Sequence, residues 1–414
     1  MPKHMKKIKY IIVLLISFST LGINAQDNLN EYLVLAAKNN PELKSKFNQY
    51  LASLERVPQV KALPDPQLAF GYFIQPVETR VGPQQIKFSA SQMFPWFGLL
   101  KAKENEFIQL AKANFEAFEE SKSKLFSDIK NNYFDLYFNQ KAIEITTENL
   151  RILETFHAIV LIKVEAGLVS AVDEYRIEME IKDLENRLFL LKDQQYSLEI
   201  RFLNLLNIQT YEPVQLPLTL WESNLAYSKE EVMDSIESQN HKLLMLELQR
   251  ESLLFRKTVA EKSGNPSFNI GLDYTIIGKG SNNLAGKDAF IFPKIGLTIP
   301  LWREKYKAKV KEVVYLETAK ANEKLNTRNL LNTLLESTWK DLNDADRRIP
   351  LYKSQLDLAE KSLHLLETEY TTANSNFEEI LRMERKLLKY GLELEKARAD
   401  KQASIAFINY LMGK

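Results

Sequence analysis

The chain has 414 residues, of which 45% are hydrophobic, 26% are charged and 10% are aromatic. This composition excludes an intrinsically disordered chain, because disordered segments carry few apolar and aromatic residues. Lys and Arg number 55 against 54 Asp and Glu, and the resulting net charge of +1 provides no basic surface of the kind that nucleic-acid binding requires. The chain contains no cysteine, which excludes disulfides and thiol catalysis.

Residues 1–25 have the pattern of a secretory signal peptide. Four lysines precede an apolar run that starts at Ile11, and small or polar residues follow as far as Ala25. The apolar run is shorter than the roughly 20 residues that a membrane-spanning helix needs, so we predict export rather than anchoring. No later run reaches about 18 apolar residues, and any membrane-spanning part of the mature chain must therefore consist of strands.

The mature sequence contains the same parts twice. Asn40 corresponds to Asn240, and Trp96 corresponds to Trp302. We predict a first structural repeat at 26–207, a connector at 208–230 and a second repeat at 231–414. Each repeat is predicted to contain one helix, two strands and a hairpin of two helices. The hairpins are expected at about 98–207 and about 303–412, and Pro350 is expected to interrupt a helix of the second one.

Four segments alternate between apolar and polar residues with the period of two that β-strands show. We predict strands at about 67–75, 85–94, 267–277 and 289–299, and polar hairpin loops at 75–83 and 278–288. The apolar face is predicted to include Leu68, Phe70, Tyr72 and Ile74 of the first strand and Ile291, Ile295, Leu297 and Ile299 of the fourth. A soluble sheet with one buried face has the same alternation, but strand lengths of about 9 to 11 residues favour tilted membrane strands.

The helices are predicted from the absence of residues that break them. No proline occurs between Trp96 and Tyr211, and the glycines of this stretch are Gly98 and Gly167. The stretch therefore predicts two helices that turn near Gly167. The first would be on the order of 100 Å long at about 1.5 Å per residue, which exceeds the width of a globular domain.

Four lipid-facing strands cannot close a barrel on their own. Unpaired backbone groups cost several kcal/mol each in hydrocarbon, and single-chain barrels have at least about eight strands. Three copies that each donate four strands would complete a barrel. The predicted fold is therefore mainly α with a small transmembrane β part, in which several copies share one barrel. With three copies, a trimer, this would be a 12-stranded β-barrel continuous with a coiled α-helical barrel.

The chain resembles the TolC-like outer-membrane efflux channels over essentially all of its mature length. The resemblance rests on the order of elements, the duplicated halves, "NNPELK" at 39–44, the strand-proline-helix junctions and "AGLVSAVDEY" at 166–175. The junction "SQMFPWFGLLKAK" at 91–103 is most similar to the CusC-like branch of cation-efflux channels. The resemblance implies a homotrimeric, passive conduit in the outer membrane of a Gram-negative bacterium. It also implies two partners in a tripartite efflux pump, a periplasmic adaptor and a proton-driven inner-membrane transporter, and it implies no cofactor.

The resemblance further implies a gate and adaptor-docking surface at the turns between paired helices. The positions that match it in the first turn are Gly167, Leu168, Ser170 and Asp173. Those in the second turn are Tyr370, Asn374, Asn376, Glu378 and Glu379, and Arg382 stands where a second carboxylate is common. Three copies of Glu379 around an axis would attract cations. The alternative is that Glu378 and Glu379 are solvated helix residues and that Tyr370 packs between helices.

Six residues of the strands and their ends are further candidates. Alternation predicts that Lys87, Asp273 and Lys294 face the barrel lumen, although a register change of one residue would reverse them. Phe94, Trp96 and Trp302 lie where strand meets helix, and amphipathic aromatic side chains favour the membrane interface. Core packing at a sharp bend is the alternative for these three.

The sequence predicts no enzyme and no metal site. The mature chain's histidines, His157, His241 and His364, are far apart and lack metal-ligand spacing. The segment "GSNNLAGKD" at 280–288 lacks the spacing and the final Ser or Thr of a phosphate loop. The alternative to a channel is the periplasmic adaptor of such a pump, which also uses long helical hairpins. Two full hairpins and four lipid-patterned strands favour the channel.

Overall fold

A computed structural model describes residues 25–280, 286–372 and 377–414. Apart from Ala25, the predicted signal peptide at 1–25 lies outside the described residues, and so do the gate candidates Asn374 and Asn376. Within the described ranges, no helix combines the length and the apolar character that crossing a membrane requires.

The described residues form eight helices and four strands in two similar series. The first series consists of α1 (Ala25–Asn39), α2 (Pro41–Lys61), β1 (Gln67–Thr79), β2 (Gly82–Phe94), α3 (Leu99–Glu165) and α4 (Ala171–Leu206). The second consists of α5 (Lys229–Gln239), α6 (His241–Ser263), β3 (Ser267–Ile277), β4 (Ala289–Thr298), α7 (Arg303–Thr372) and α8 (Phe377–Leu411). The fold is mainly helical and contains one small antiparallel sheet.

Two helices, and not the single one predicted, precede the strands in each half. Asn40 and Asn240 interrupt them, and each asparagine binds the end of a distant helix. The Asn40 amide donates to the Leu205 carbonyl at 3.2 Å, and the Asn240 amide donates to the Leu411 carbonyl at 2.9 Å. The asparagine side chains thus satisfy carbonyls at the C-termini of α4 and α8 that have no partner within their own helices. Equivalent contacts in both halves are the structural counterpart of the sequence duplication.

The predicted interruption at Pro350 is wrong, because α7 continues through this proline. A proline removes one hydrogen bond and crowds the preceding turn, which destabilises an isolated helix. In this chain Leu342 and Ala345, before the proline, and Ala359, after it, are buried. Their packing on both sides outweighs the local preference for a break.

The four strands form an antiparallel sheet in the order β1-β2-β3-β4, so β1 and β4 are its edges. The first hairpin is tighter than predicted, because β1 and β2 extend into the segment 75–83 that was expected to be a loop. Gly82, with φ of +132°, and a hydrogen bond from the Thr79 hydroxyl to the Gly82 carbonyl at 2.6 Å complete this short turn.

A β-bulge changes the predicted faces of β4. Gly271 pairs with Lys294, whereas Asp273 pairs with Ile291, so β4 contains one extra residue between these pairs. Since paired residues share a face, Ile291 lies on the polar face with Asp273, and its assignment to the apolar face is wrong. Phe290 pairs with Tyr274 and takes that apolar position.

The contacts divide the chain into two compact units. Of the described residues, those up to Lys44, those in Glu120–Asn240 and those in Leu330–Lys414 form the helical unit. The described residues in Ser45–Glu119 and His241–Asn329 form the sheet unit. The core of the helical unit includes a cluster of buried side chains from α3, α4, α7 and α8, among them Val160, Ile177, Tyr370, Phe377 and Ile380.

Candidate functional site

The sheet exposes a row of large apolar side chains on one face. On β1, the exposed fractions of Leu68, Phe70, Tyr72 and Ile74 lie between 66% and 89%. Ile295 of β4 is 74% exposed. Monomeric soluble proteins rarely expose a contiguous apolar surface of this kind, so this face requires an apolar environment.

The opposite face of the sheet holds the three lumen candidates in one ion cluster. The Asp273 carboxylate lies 2.9 Å from the Lys87 Nζ and 3.1 Å from the Lys294 Nζ. The Asp273 side chain is almost completely buried, whereas both lysines are partly exposed. The two ammonium groups and one carboxylate leave this cluster with a net charge of +1. Alternation in the sequence predicted that these three side chains lie on one face of the sheet, and the structure brings them together.

The aromatic candidates meet at the strand–helix junctions of the sheet unit. Phe94 ends β2 and pairs with Phe268, and the Trp96 ring stacks on Phe268 with centroids 6.0 Å apart. Trp302 precedes α7 and is 80% exposed. Trp96 and Trp302 both line a cavity of about 930 Å³. Trp96 therefore has a packing role, while Trp302 has most of its surface free within the described chain.

The first helical turn is built by backbone and capping interactions. Gly167 has φ of +69°, and the N–H groups of Gly167 and Leu168 donate to carbonyls in the last turn of α3 at 2.9 and 2.8 Å. This is the Schellman geometry that ends a helix at a left-handed residue. The Ser170 hydroxyl accepts from the Val172 N–H at 3.2 Å and caps α4. Asp173 follows in the first turn of α4, where the helix dipole favours an acid.

Tyr370 lies in the core next to the second turn. It is 2% exposed, its ring lies 5.4 Å from that of Phe377, and burial raises the pKa of its hydroxyl, with the Asp173 carboxylate contributing further. The Lys163 ammonium donates to the Tyr370 carbonyl at 2.6 Å and lies 3.7 Å from the ring centroid. These contacts favour the packing interpretation of Tyr370 and tie the end of α3 to the end of α7.

A chain of ion pairs connects α4 with α8 beside the turns. Arg176 lies 3.3 Å from Asp173 and 3.9 Å from Glu378, and Arg385 lies 3.4 Å from Glu378. Arg385 also pairs with Glu180 at 2.9 Å. These side chains are partly exposed, and each pair contributes at most about 1 kcal/mol. These ion pairs connect α4 to α8, and a competing charged group can replace them.

Glu379 is paired within its own helix. Its carboxylate accepts a hydrogen bond from the Arg382 guanidinium, one turn later in α8. The sequence analysis considered Glu379 as a member of an acidic ring or as a solvated helix residue, and it treated Arg382 as a departure from the expected pattern. The structure joins the two residues, so the charge at this position depends on both.

Sequence reasoning missed a buried carboxylate in the helical unit. Glu384 is 2% exposed, and burial, with the nearby Glu367 carboxylate, raises its pKa from 4.5 to about 7. Its neighbours in α8 are the buried residues Phe377, Ile380, Leu381 and Leu388, which recur at helical spacing. An acid in this apolar stripe was the available signal. Among the described residues, no three His, Cys, Asp or Glu side chains are grouped closely enough to hold a metal ion.

No protein-family model and no curated protein sequence matches the chain. Solved structures do match. The outer-membrane channel OprN aligns with a TM-score of 0.79 and 14% identity, over 94% of this chain and 90% of that chain. The outer membrane protein VceC from Vibrio cholerae aligns with a TM-score of 0.75 and 14% identity, over 92% and 95%. This chain has the TolC-like channel fold.

CusC, whose structures are described in terms of transmembrane channel formation, aligns with a TM-score of 0.71 and 15% identity, over 93% of this chain and 92% of that chain. Its score is below those of OprN and VceC, so the fold does not single out the CusC-like branch that the junction at 91–103 indicated. The three alignments cover 92% or more of this chain, and they do not favour the adaptor alternative.

Proposed function

We propose that the chain is the outer-membrane channel of a tripartite efflux pump. Three copies would donate four strands each to a 12-stranded β-barrel that continues into an α-helical barrel. The assembly would be a passive conduit from periplasm to exterior for drugs, metal cations or other small solutes, without enzymatic chemistry. It would work with a periplasmic adaptor and a proton-driven inner-membrane transporter.

The observation that carries this proposal is the open sheet with its exposed apolar face. Each edge strand, β1 and β4, has a strand partner on one side within the described chain. Backbone groups of a sheet edge cannot remain unpaired in hydrocarbon, so the sheet needs further strands if lipid covers its apolar face. Identical copies supply them by pairing β4 of one copy with β1 of the next, which leaves no edge.

The polar face of the sheet would then line the lumen. The cluster of Lys87, Asp273 and Lys294 would contribute one positive charge per copy, because the aspartate neutralises one of the two lysines. Phe94, Trp96 and Trp302 would lie at the membrane interface, where aromatic side chains are favoured.

The gate proposal concerns the turns of the helical unit. Gly167, Leu168, Ser170, Asp173, Tyr370, Glu378, Glu379 and Arg382 would form the periplasmic entrance and the adaptor-docking surface, together with Asn374 and Asn376. The ion pairs of Arg176 and Arg385 with Glu378 support this role, since docking of a charged partner can exchange exposed pairs at small cost.

The test is assembly in the membrane. After cell fractionation, the protein should be in the outer membrane, and the purified protein should migrate as a trimer that dissociates on heating. Phe70→Arg places a charge on the apolar face and should impair insertion, at a cost of about 2–4 kcal/mol near the membrane centre. Gln67→Arg, on the opposite face of the same strand, is the matched control and should assemble. A protein that is monomeric in detergent, or two variants that behave alike, would overturn the proposal.

A further inference from the structure

A cavity of about 630 Å³ lies between α3, α7 and α8 of the helical unit. Its volume lies in the range of small-molecule binding sites. Aliphatic side chains from all three helices form much of its wall, among them Ile152, Leu363 and Leu388. Such a wall accommodates the apolar body of a ligand.

Glu384 contributes a buried carboxyl group to this cavity. One of its carboxyl oxygens accepts a hydrogen bond from the Asn149 amide at 2.8 Å. The other oxygen, Oε1, is buried and has no hydrogen-bond partner among the described residues. Buried carboxylates are normally paired or hydrogen-bonded, because leaving one uncompensated is costly. The free oxygen is therefore a position at which a ligand cation would gain a strong partner.

The remaining titratable groups of the wall give the cavity a negative character. Carboxylates come from all three helices, and one imidazole accompanies them: Glu144 and Glu148 on α3, Glu360, His364 and Glu367 on α7, and Glu395 on α8. The wall as described includes no lysine and no arginine. Glu144, Glu148 and Glu395 are paired with basic side chains outside the wall, namely Lys141, Arg151 and Arg398.

We propose that this cavity binds a monovalent organic cation whose charge pairs with Glu384 and whose apolar body contacts the aliphatic wall. A metal ion fits the cavity less well, because the described residues provide no group of three ligands and the wall is largely apolar. The site belongs to a single copy of the chain, so the proposal does not depend on trimer formation or on transport.

Cation binding should depend on pH. Burial and Glu367 hold the Glu384 pKa at about 7, and a cation pairs with the ionised form. The ionised fraction, and with it the affinity, should rise about tenfold between pH 6 and pH 8. His364 contributes the imidazole of the cavity wall, so His364→Gln is the control that assigns the pH dependence to Glu384.

The experiment uses ethidium as the organic cation and the purified full-length protein in detergent, with binding followed by fluorescence anisotropy. We expect one saturable site per chain at pH 8 and about tenfold weaker binding at pH 6. Glu384→Gln should weaken binding at pH 8 by about tenfold or more and remove the pH dependence, whereas His364→Gln should retain both. The anion anilinonaphthalene sulfonate should bind no better to the wild type than to Glu384→Gln.

A second variant tests the location of the site without changing the charge of Glu384. Leu356 is a partly buried residue of the wall, and Leu356→Trp should fill the cavity and block ethidium without altering Glu384. The proposal is overturned if the wild type shows no saturable site. It is also overturned if ethidium binds the wild type, Glu384→Gln and Leu356→Trp equally, since such binding belongs to the micelle or to another surface.

Discussion

Replacing Glu384 by Gln should stabilise the protein, and more strongly as the pH rises. In the folded chain the pKa of Glu384 is raised from 4.5 to about 7, chiefly by burial. An acid whose folded pKa exceeds its unfolded value opposes folding wherever the unfolded chain is ionised. This cost is absent below pH 4.5, grows between pH 4.5 and about 7, and is constant above that range. Glutamine removes the charge and can still accept the hydrogen bond from Asn149.

The size of the effect follows from the pKa difference. One pKa unit corresponds to about 1.4 kcal/mol, so the cost of the carboxyl group is about 3 kcal/mol at pH 8 and about 1 kcal/mol at pH 5. Glu384→Gln should therefore raise the free energy of unfolding by about 2 kcal/mol more at pH 8 than at pH 5. Glutamine has nearly the shape of glutamate, so no cavity term opposes this gain.

The assay is guanidinium unfolding of the purified protein in detergent, followed by far-ultraviolet circular dichroism at both pH values. Glu154→Gln, which removes a carboxylate from an exposed position of α3, is the matched control and should change the unfolding free energy little at either pH. A stabilisation by Glu384→Gln that is equal at pH 5 and pH 8 would refute the reasoning, because the gain would then not arise from ionisation. A loss of stability at pH 8 would refute it as well.

Three further predictions concern the turns and the sheet. In the proposed trimeric channel, Glu379→Gln should shift the ion selectivity in planar bilayers toward anions, and Arg382→Gln should shift it toward cations. Each substitution leaves the other member of the pair uncompensated. Tyr370→Phe should raise the unfolding free energy by about 1 kcal/mol, since the buried hydroxyl has no partner among the described residues. Gly271→Ala should lower the yield of heat-resistant trimers, because the added Cβ would lie 2.6 Å from a carbonyl oxygen of β2. Gly71→Ala is the control and should be tolerated, because its added Cβ would lie 4.0 Å from the nearest atom.

Each of these has an outcome that contradicts it. Selectivity that moves in the same direction for Glu379→Gln and Arg382→Gln would show that neither charge acts through the pair. A loss of stability in Tyr370→Phe would show that the hydroxyl has a stabilising partner. Equal trimer yields for the two glycine variants would show that the close approach at Gly271 does not limit strand pairing.

The sequence predicted which polar side chains share a face of the sheet, but it did not predict where the pairing of β3 and β4 is irregular. Alternation placed Lys87, Asp273 and Lys294 on one face, and they form one ion cluster. The same reasoning misplaced Ile291, because a bulge adds a residue to β4 and reverses the alternation beyond it. A bulge depends on how two strands pair across the sheet, and a pattern read along one strand does not contain that information.

The helices also show that local sequence signals predict local features better than features that depend on packing. Gly167 predicted the first turn correctly, because its left-handed conformation is a local requirement that glycine meets. Pro350 predicted a break that does not occur, since packing on both sides holds α7 together. The pairing of Glu379 with Arg382 follows i,i+3 spacing and could have been predicted. The free oxygen of Glu384 could not, because its surroundings depend on how α3 packs against α7 and α8, from which α3 is distant in sequence.

The pairing of β2 with β3 has a consequence for the order in which the molecule forms. These central strands lie on the order of 180 residues apart, and the whole of α3 and α4 separates them. A nascent chain can make the first hairpin and the first pair of long helices long before β3 exists, but the sheet has to wait for the second half of the sequence. The apolar hairpin of β1 and β2 therefore lacks its neighbouring strand β3 for much of synthesis, and a chaperone that shields this hairpin would act in that interval.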